Sequence, residues 1–212
     1  MRERIQQALQ WWSRRQSIKL FWEAEIIRDS LLQECFTIRR GLDLLVQDNL
    51  DSSSPQMQAY LQKIDDFHLA LVKLSDRLCP TPIQQSLPLS IECLLETFLE
   101  SSPHLYYQID LPLYWQTEES TERSLLILRI LEELFIIIIP EICIPVSVYI
   151  NLKNQKNRQS LVIKITYPDI STLMLYASLP ELKYLRDSFQ VLISGKCHYS
   201  RQSLSLSCIF SW

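Results

Sequence analysis

Glycine is nearly absent: the 212-residue chain has two, Gly41 and Gly195. Nucleotide phosphates are usually cradled by glycine-rich turns, because a residue without Cβ lets the backbone come close. Two isolated glycines build neither a P-loop nor a G-x-G-x-x-G turn, which argues against most nucleotide chemistry. An excess of one charge is lacking too. The chain carries 21 Lys and Arg against 24 Asp and Glu, a net charge of -3. That balance gives no electrostatic reason for direct nucleic-acid binding. The short basic clusters Arg14-Arg15 and Arg39-Arg40 sit among acids and read as solvated helix faces.

Other absences bound the compartment. The six cysteines (Cys35, Cys79, Cys93, Cys143, Cys197 and Cys208) form no C-x-x-C pair and no zinc-like cluster with histidine. Most lie in apolar runs, where a reduced thiol behaves as a small hydrophobe. Reduced cysteines and no recognisable leader peptide give a cytoplasmic expectation. The longest apolar run, Leu134 to Ile150, contains Pro140, Glu141 and Pro145. Those residues break a helix before it reaches the roughly 20 apolar residues a bilayer demands, so no membrane association is expected.

What remains is 47% hydrophobic, enough for one or two cores. Residues 4 to 49 read as one long helix, with an interruption near Ser17. Ile27, Leu31, Ile38, Leu42 and Leu45 make its apolar stripe. Gln47 to Gln56 reads as a loop, and residues 56 to 78 as a second helix with Leu61, Ile64, Leu71, Leu74 and Leu78 on one side. Two such helices make an antiparallel hairpin, which buries too little alone and is expected to pair with a second copy as a four-helix bundle. Trp11 and Trp12 are expected to complete the end of that bundle.

Cys79 to Pro82 stops the helix and opens a linker. Beyond it the texture changes to helices at 88–100 and 121–138 and a strand at 104–111. A strand hairpin follows at 145–153 and 160–167, around a polar turn that carries a lysine, and then a short helix at 179–189. Gln190 to Lys196 and Ser203 to Phe210 read as two last strands. The expectation is an α+β fold: a helical hairpin over residues 1–80, then an α/β sandwich over 83–212 with its helices on one face of a mostly antiparallel sheet. The run Phe135 to Ile144 reads as core between the two layers.

A helical hairpin followed by a sandwich of this order resembles the catalytic core of a sensor histidine kinase, of the class that pairs with NarL/FixJ-type response regulators. In that family the first hairpin helix carries His-Asp-x-x-x-Gln; here Arg28-Asp29-Ser30-Leu31-Leu32-Gln33 stands in its place. The ATP-binding domain opens with a helix of the form R-I-V-Q-E-A-L-x-N, and "RILEELFII" (Arg129 to Ile137) is similar to it in register. The likeness covers about residues 20 to 210, and the texture of the second half resembles cyanobacterial or plastid sequences.

The departures carry equal weight. Arg28 replaces the phosphorylated histidine, and a guanidinium has no free lone pair with which to accept a phosphoryl group. Ile137 replaces the asparagine that holds magnesium on ATP, and apolar carbon cannot coordinate a hard cation. Of the adenine-reading D-x-G-x-G only Asp169 remains, and the later glycine-rich box and lid are missing. His68, His104 and His198 are not placed to substitute. The resemblance with these losses implies a pseudokinase without nucleotide or metal cofactor, able to bind a response regulator or a partner kinase and modulate its signalling as a homodimer.

Asp29 and Gln33, four apart on a helix, share a face turned from the apolar seam. In the family this pair supports removal of phosphate from the regulator: the amide orients water and the carboxylate positions groups around it. Arg28, Asp29, Leu32 and Gln33 are therefore the expected partner-binding residues. Two rival readings stand beside this one: a regulator phosphatase using Asp29 and Gln33, and a non-enzymatic module whose degenerate pocket holds another small molecule.

Overall fold

The computed structural model describes residues 2–47, 55–78, 81–84, 86–102, 104–112, 115, 120–139, 144–155 and 158–212. Most of the expected Gln47–Gln56 loop, the start of the Cys79–Pro82 linker, Pro140 to Cys143 of the long apolar run and the tip of the β-hairpin at 156–157 lie outside them. The described chain forms two compact units, one of residues 1–13 with 81–212 and one of residues 14–80.

The smaller unit is helical. Helix α1 (Arg2–Ile26) runs through Ser17 without a break. The expected interruption lies ten residues further on, where Ile27–Leu31 is π-helical and the Leu32 amide bonds back to the Ile27 carbonyl. Helix α2 (Leu32–Gln47) follows, and α3 (Pro55–Leu78) folds back along it. Gly41 makes the close approach possible, since a Cβ there would fall 1.9 Å from the Tyr60 ring. Leu31, Ile38 and Leu74 are buried, whereas Leu61, Ile64, Leu71 and Leu78 of the expected α3 stripe remain exposed.

The larger unit is the sandwich. A 3-10 turn (Thr81–Gln84) leads to α4 (Leu87–Ser101), whose first turn is capped by the Ser86 hydroxyl accepting from the Leu89 amide. Strand β1 (Leu105–Asp110) precedes α5 (Thr121–Ile138), which is capped by Ser120. Strands β2 (Val146–Gln155) and β3 (Arg158–Thr166) pair antiparallel. After them come α6 (Ile170–Ala177), α7 (Pro180–Leu192), β4 (Lys196–Gln202) and β5 (Ser205–Ser211). The five strands stand in the order β1-β2-β3-β5-β4, with only β1 and β2 parallel. Alternation sends Val146, Val148, Ile150, Leu161, Ile163, Ile165, Leu206, Cys208 and Phe210 into the core against the helices. The α+β class and its layers are as the sequence predicts.

Three elements correct the sequence reading: the strand before β5 is Lys196–Gln202 and not Gln190–Lys196. Gln190 to Leu192 continue α7 instead of opening a strand, because Phe189 and Ile193 are both buried and hold the helix through that turn. Helix α6 was not expected at all. The tryptophans also differ from expectation: Trp12 belongs to the sandwich core, and Trp11 stacks on Tyr184 of α7 with ring centroids 6.0 Å apart. Beside them Arg4 pairs with the buried Asp187 at 2.8 Å, and the Ser188 hydroxyl donates to the Ala8 carbonyl. The first three turns of α1 are thus fastened to α7.

Candidate functional site

The π-helical segment Ile27–Leu31 holds Arg28 and Asp29, and Leu32 and Gln33 open the helix beyond it. A π-turn fits an extra residue into the helical path, and such insertions occur frequently at functional sites. Leu31 turns inward and is buried, and this sends its neighbours out: Arg28, Asp29, Leu32 and Gln33 are all exposed. The Ser30 hydroxyl donates to the Ile26 carbonyl, and Thr37 does the same to the Gln33 carbonyl. Both bonds serve backbone acceptors and leave the Asp29 and Gln33 side chains unengaged among the described residues.

Arg28 is engaged. Its guanidinium donates to the Glu25 carboxylate one turn earlier, an ion pair at the surface. Glu25 received no role from the sequence, although opposite charges three apart on a helix are the signal for such a pair. Leu32 and Phe36 continue the stripe with large exposed apolar surfaces. The face is therefore a cation held by an internal anion, a free carboxylate and amide, and an apolar border.

The second expected locus lies in the sandwich. Ile137 is 8% exposed and packs in the core cluster. One residue on, the Ile138 carbonyl accepts a 2.8 Å hydrogen bond from the hydroxyl of Tyr167. Tyr167 is fully buried at the end of β3 and stacks on Tyr176 of α6, with centroids 5.7 Å apart and planes 7° from parallel. Burial pushes its phenol far above the ordinary value, so it stays neutral and serves as a donor. Tyr167 thus ties the end of β3 to the end of α5 through its hydroxyl.

Asp169 is spoken for as well. Its carboxylate accepts from the Thr172 amide and hydroxyl, both at 2.8 Å, and so caps α6. Those bonds, the Thr172 amide first, lower its pKa from 3.8. Cys197 and Cys208 lie beside Tyr199, and burial pushes the Cys197 thiol up to about 12 and Cys208 upward also, which disfavours the thiolate. Among the described residues no group of three His, Cys, Asp or Glu side chains is arranged to hold a metal ion, and no helix is long and apolar enough to cross a membrane.

No family model and no curated protein sequence matches this chain. Its similarity is to solved structures. A histidine kinase of Acinetobacter baumannii, AdeS, is 13% identical over 85% of this chain and 95% of that one, with a TM-score of 0.45. A histidine kinase of Burkholderia phymatum is 12% identical over 85% and 94%, with a TM-score of 0.45. The histidine kinase ThkA, solved in complex with the response regulator protein TrrA, is 10% identical over 94% and 65%, with a TM-score of 0.41. The likeness is to histidine kinases. It is one of overall layout, and at these identities it assigns no activity, partner or site residue to this chain.

Proposed function

We propose that this protein is a catalytically silent, histidine-kinase-like signalling protein that docks a NarL/FixJ-type response regulator, or a partner kinase, through the exposed face of Arg28, Asp29, Leu32 and Gln33. One observation carries the reading. The position that needs a nucleophilic imidazole holds a guanidinium, exposed and ion-paired, which has no lone pair to offer phosphorus. Ile137 packed in the core, Tyr167 bonded to the Ile138 carbonyl and Asp169 used as a helix cap support the absence of nucleotide and magnesium chemistry. The exposed leucines of α3 support a homodimer, with a second copy covering them.

The test is direct. With labelled ATP and magnesium the protein is expected to gain no phosphate, and ATP is expected to leave its melting temperature unchanged. Incorporation of label, or clear stabilisation by ATP, ends the pseudokinase reading. The second reading, a regulator phosphatase, is favoured by the free Asp29 and Gln33 side chains. A phosphorylated NarL-type regulator incubated with wild type, with Gln33→Ala and in buffer decides it: equal phosphate loss in all three removes the enzyme.

A further inference from the structure

We propose that the Arg28 face distinguishes a phosphorylated receiver domain from an unphosphorylated one, with Glu25 as the internal anion that a phosphoryl group displaces. The inference rests on the docking reading above and adds to it a partner state and a specificity residue. Arg28 is 65% exposed while its side chain is held by Glu25, itself only 26% exposed. A guanidinium already satisfied by one carboxylate oxygen keeps most of its five donors, and a phosphoryl group offers several acceptors for them. The exchange of anions is cheap, because an ion pair at the surface is weak. An unphosphorylated aspartate brings a single carboxylate, which gains little over the one Arg28 already has.

The surroundings fix what kind of partner fits. Leu32 is 59% and Phe36 66% exposed, one and two turns along the stripe that Arg28 begins. Apolar side chains at that distance exclude water from a docked surface and strengthen the charge contact beside them. The π-turn sets this register: Leu31 stays in the seam while Arg28 and Leu32 face outward together. The matching surface is a phosphoryl group ringed by apolar residues. Asp29, next to Arg28 and unpaired, opposes any partner that brings only further negative charge without the contacts to offset it.

The experiment uses full-length protein and the magnesium-loaded NarL-class receiver domains of its own genome, each with and without beryllofluoride, which mimics the phosphoryl group on aspartate. Wild type is expected to bind the beryllofluoride form more tightly than the bare one. Arg28→Gln should lose about tenfold for that form and leave the bare form unchanged, since bonds from a charged donor are the strong ones. Glu25→Gln should gain, by no more than about fivefold given the weakness of exposed pairs. That gain must vanish in the double variant, because Glu25 acts only through Arg28. Circular dichroism of each variant checks folding. If both receiver forms bind and the variants shift them equally or not at all, the docking reading stands and the phosphoryl readout is overturned. If no receiver binds in either form, the phosphoryl readout and the docking of a response regulator are both overturned, and only the partner-kinase form of the docking reading is left.

Discussion

Tyr167 and Asp169 lie two residues apart at the end of β3, and Asp169 is the one residue that the resemblance leaves as a candidate for reading adenine. The structure gives both to the fold. Tyr167 is buried and satisfies the Ile138 carbonyl. Its replacement by Phe keeps the ring and removes the donor, leaving a buried acceptor unpaired. The expected loss is about 1–3 kcal/mol in urea unfolding, with the slope of the transition unchanged. Asp169 acts from the surface instead. Its folded pKa is lowered, so its contribution is complete above the unfolded value of 3.8 and is lost as pH falls through the folded value. Asp169→Ala should lower the melting temperature at neutral pH, and the gap to wild type should close below pH 3.8. Asp169→Asn keeps a capping oxygen and should melt close to wild type at neutral pH.

At the scale of elements, the scarcity of glycine leaves a visible trace. Ser194, just past α7, and Ser203, in the turn between β4 and β5, take φ of 58° and 53°, the left-handed region that glycine adopts without a Cβ clash. Ser203→Gly should therefore stabilise the sandwich by up to about 1 kcal/mol, read as a higher midpoint in urea. The sign differs at Gly195, where an added Cβ would meet Phe189 at 2.4 Å and the Ser211 carbonyl at 2.8 Å.

The elements also show what the sequence could reveal. Long amphipathic helices and alternating strands were legible because burial on one face imposes a period. Helix α6 was not, since "ISTLMLYA" is short and mostly apolar, although its Asp169 cap was in view. The end of α7 was misread because Val191 and Ile193 favour strands in isolation, and burial decided otherwise. The π-turn has no period of its own to detect. The face around Arg28 was half legible: four exposed residues follow from the stripe, while the choice of Glu25 as the partner of Arg28 depends on side-chain geometry that spacing alone does not fix. Trp12 was the hardest, because its partner helix lies far along the chain and no local pattern points to it.

At the scale of the whole molecule, the two units are built on different terms. The sandwich closes a core of its own, with thirty-one buried residues in one cluster among the described residues. The helical unit buries Leu31, Ile38 and Leu74 but leaves Leu20, Phe21, Trp22, Leu61, Leu69 and Leu71 in solvent. A pair of helices with so much apolar surface gains most of its stability from whatever covers it. If that is a second copy, the unit's stability follows mass action, while the sandwich is indifferent to concentration. Hydrogen exchange at two protein concentrations separates the cases. Raising the concentration a hundredfold should slow exchange in α2 and α3 markedly, since monomer opening is suppressed, and leave β2, β3 and β5 unchanged. Replacing Leu61 and Leu71 together by Gln should remove the concentration dependence and leave the sandwich intact. Exchange in α2 and α3 that is slow and independent of concentration would mean that the hairpin is stable alone, and the homodimer would lose its physical support.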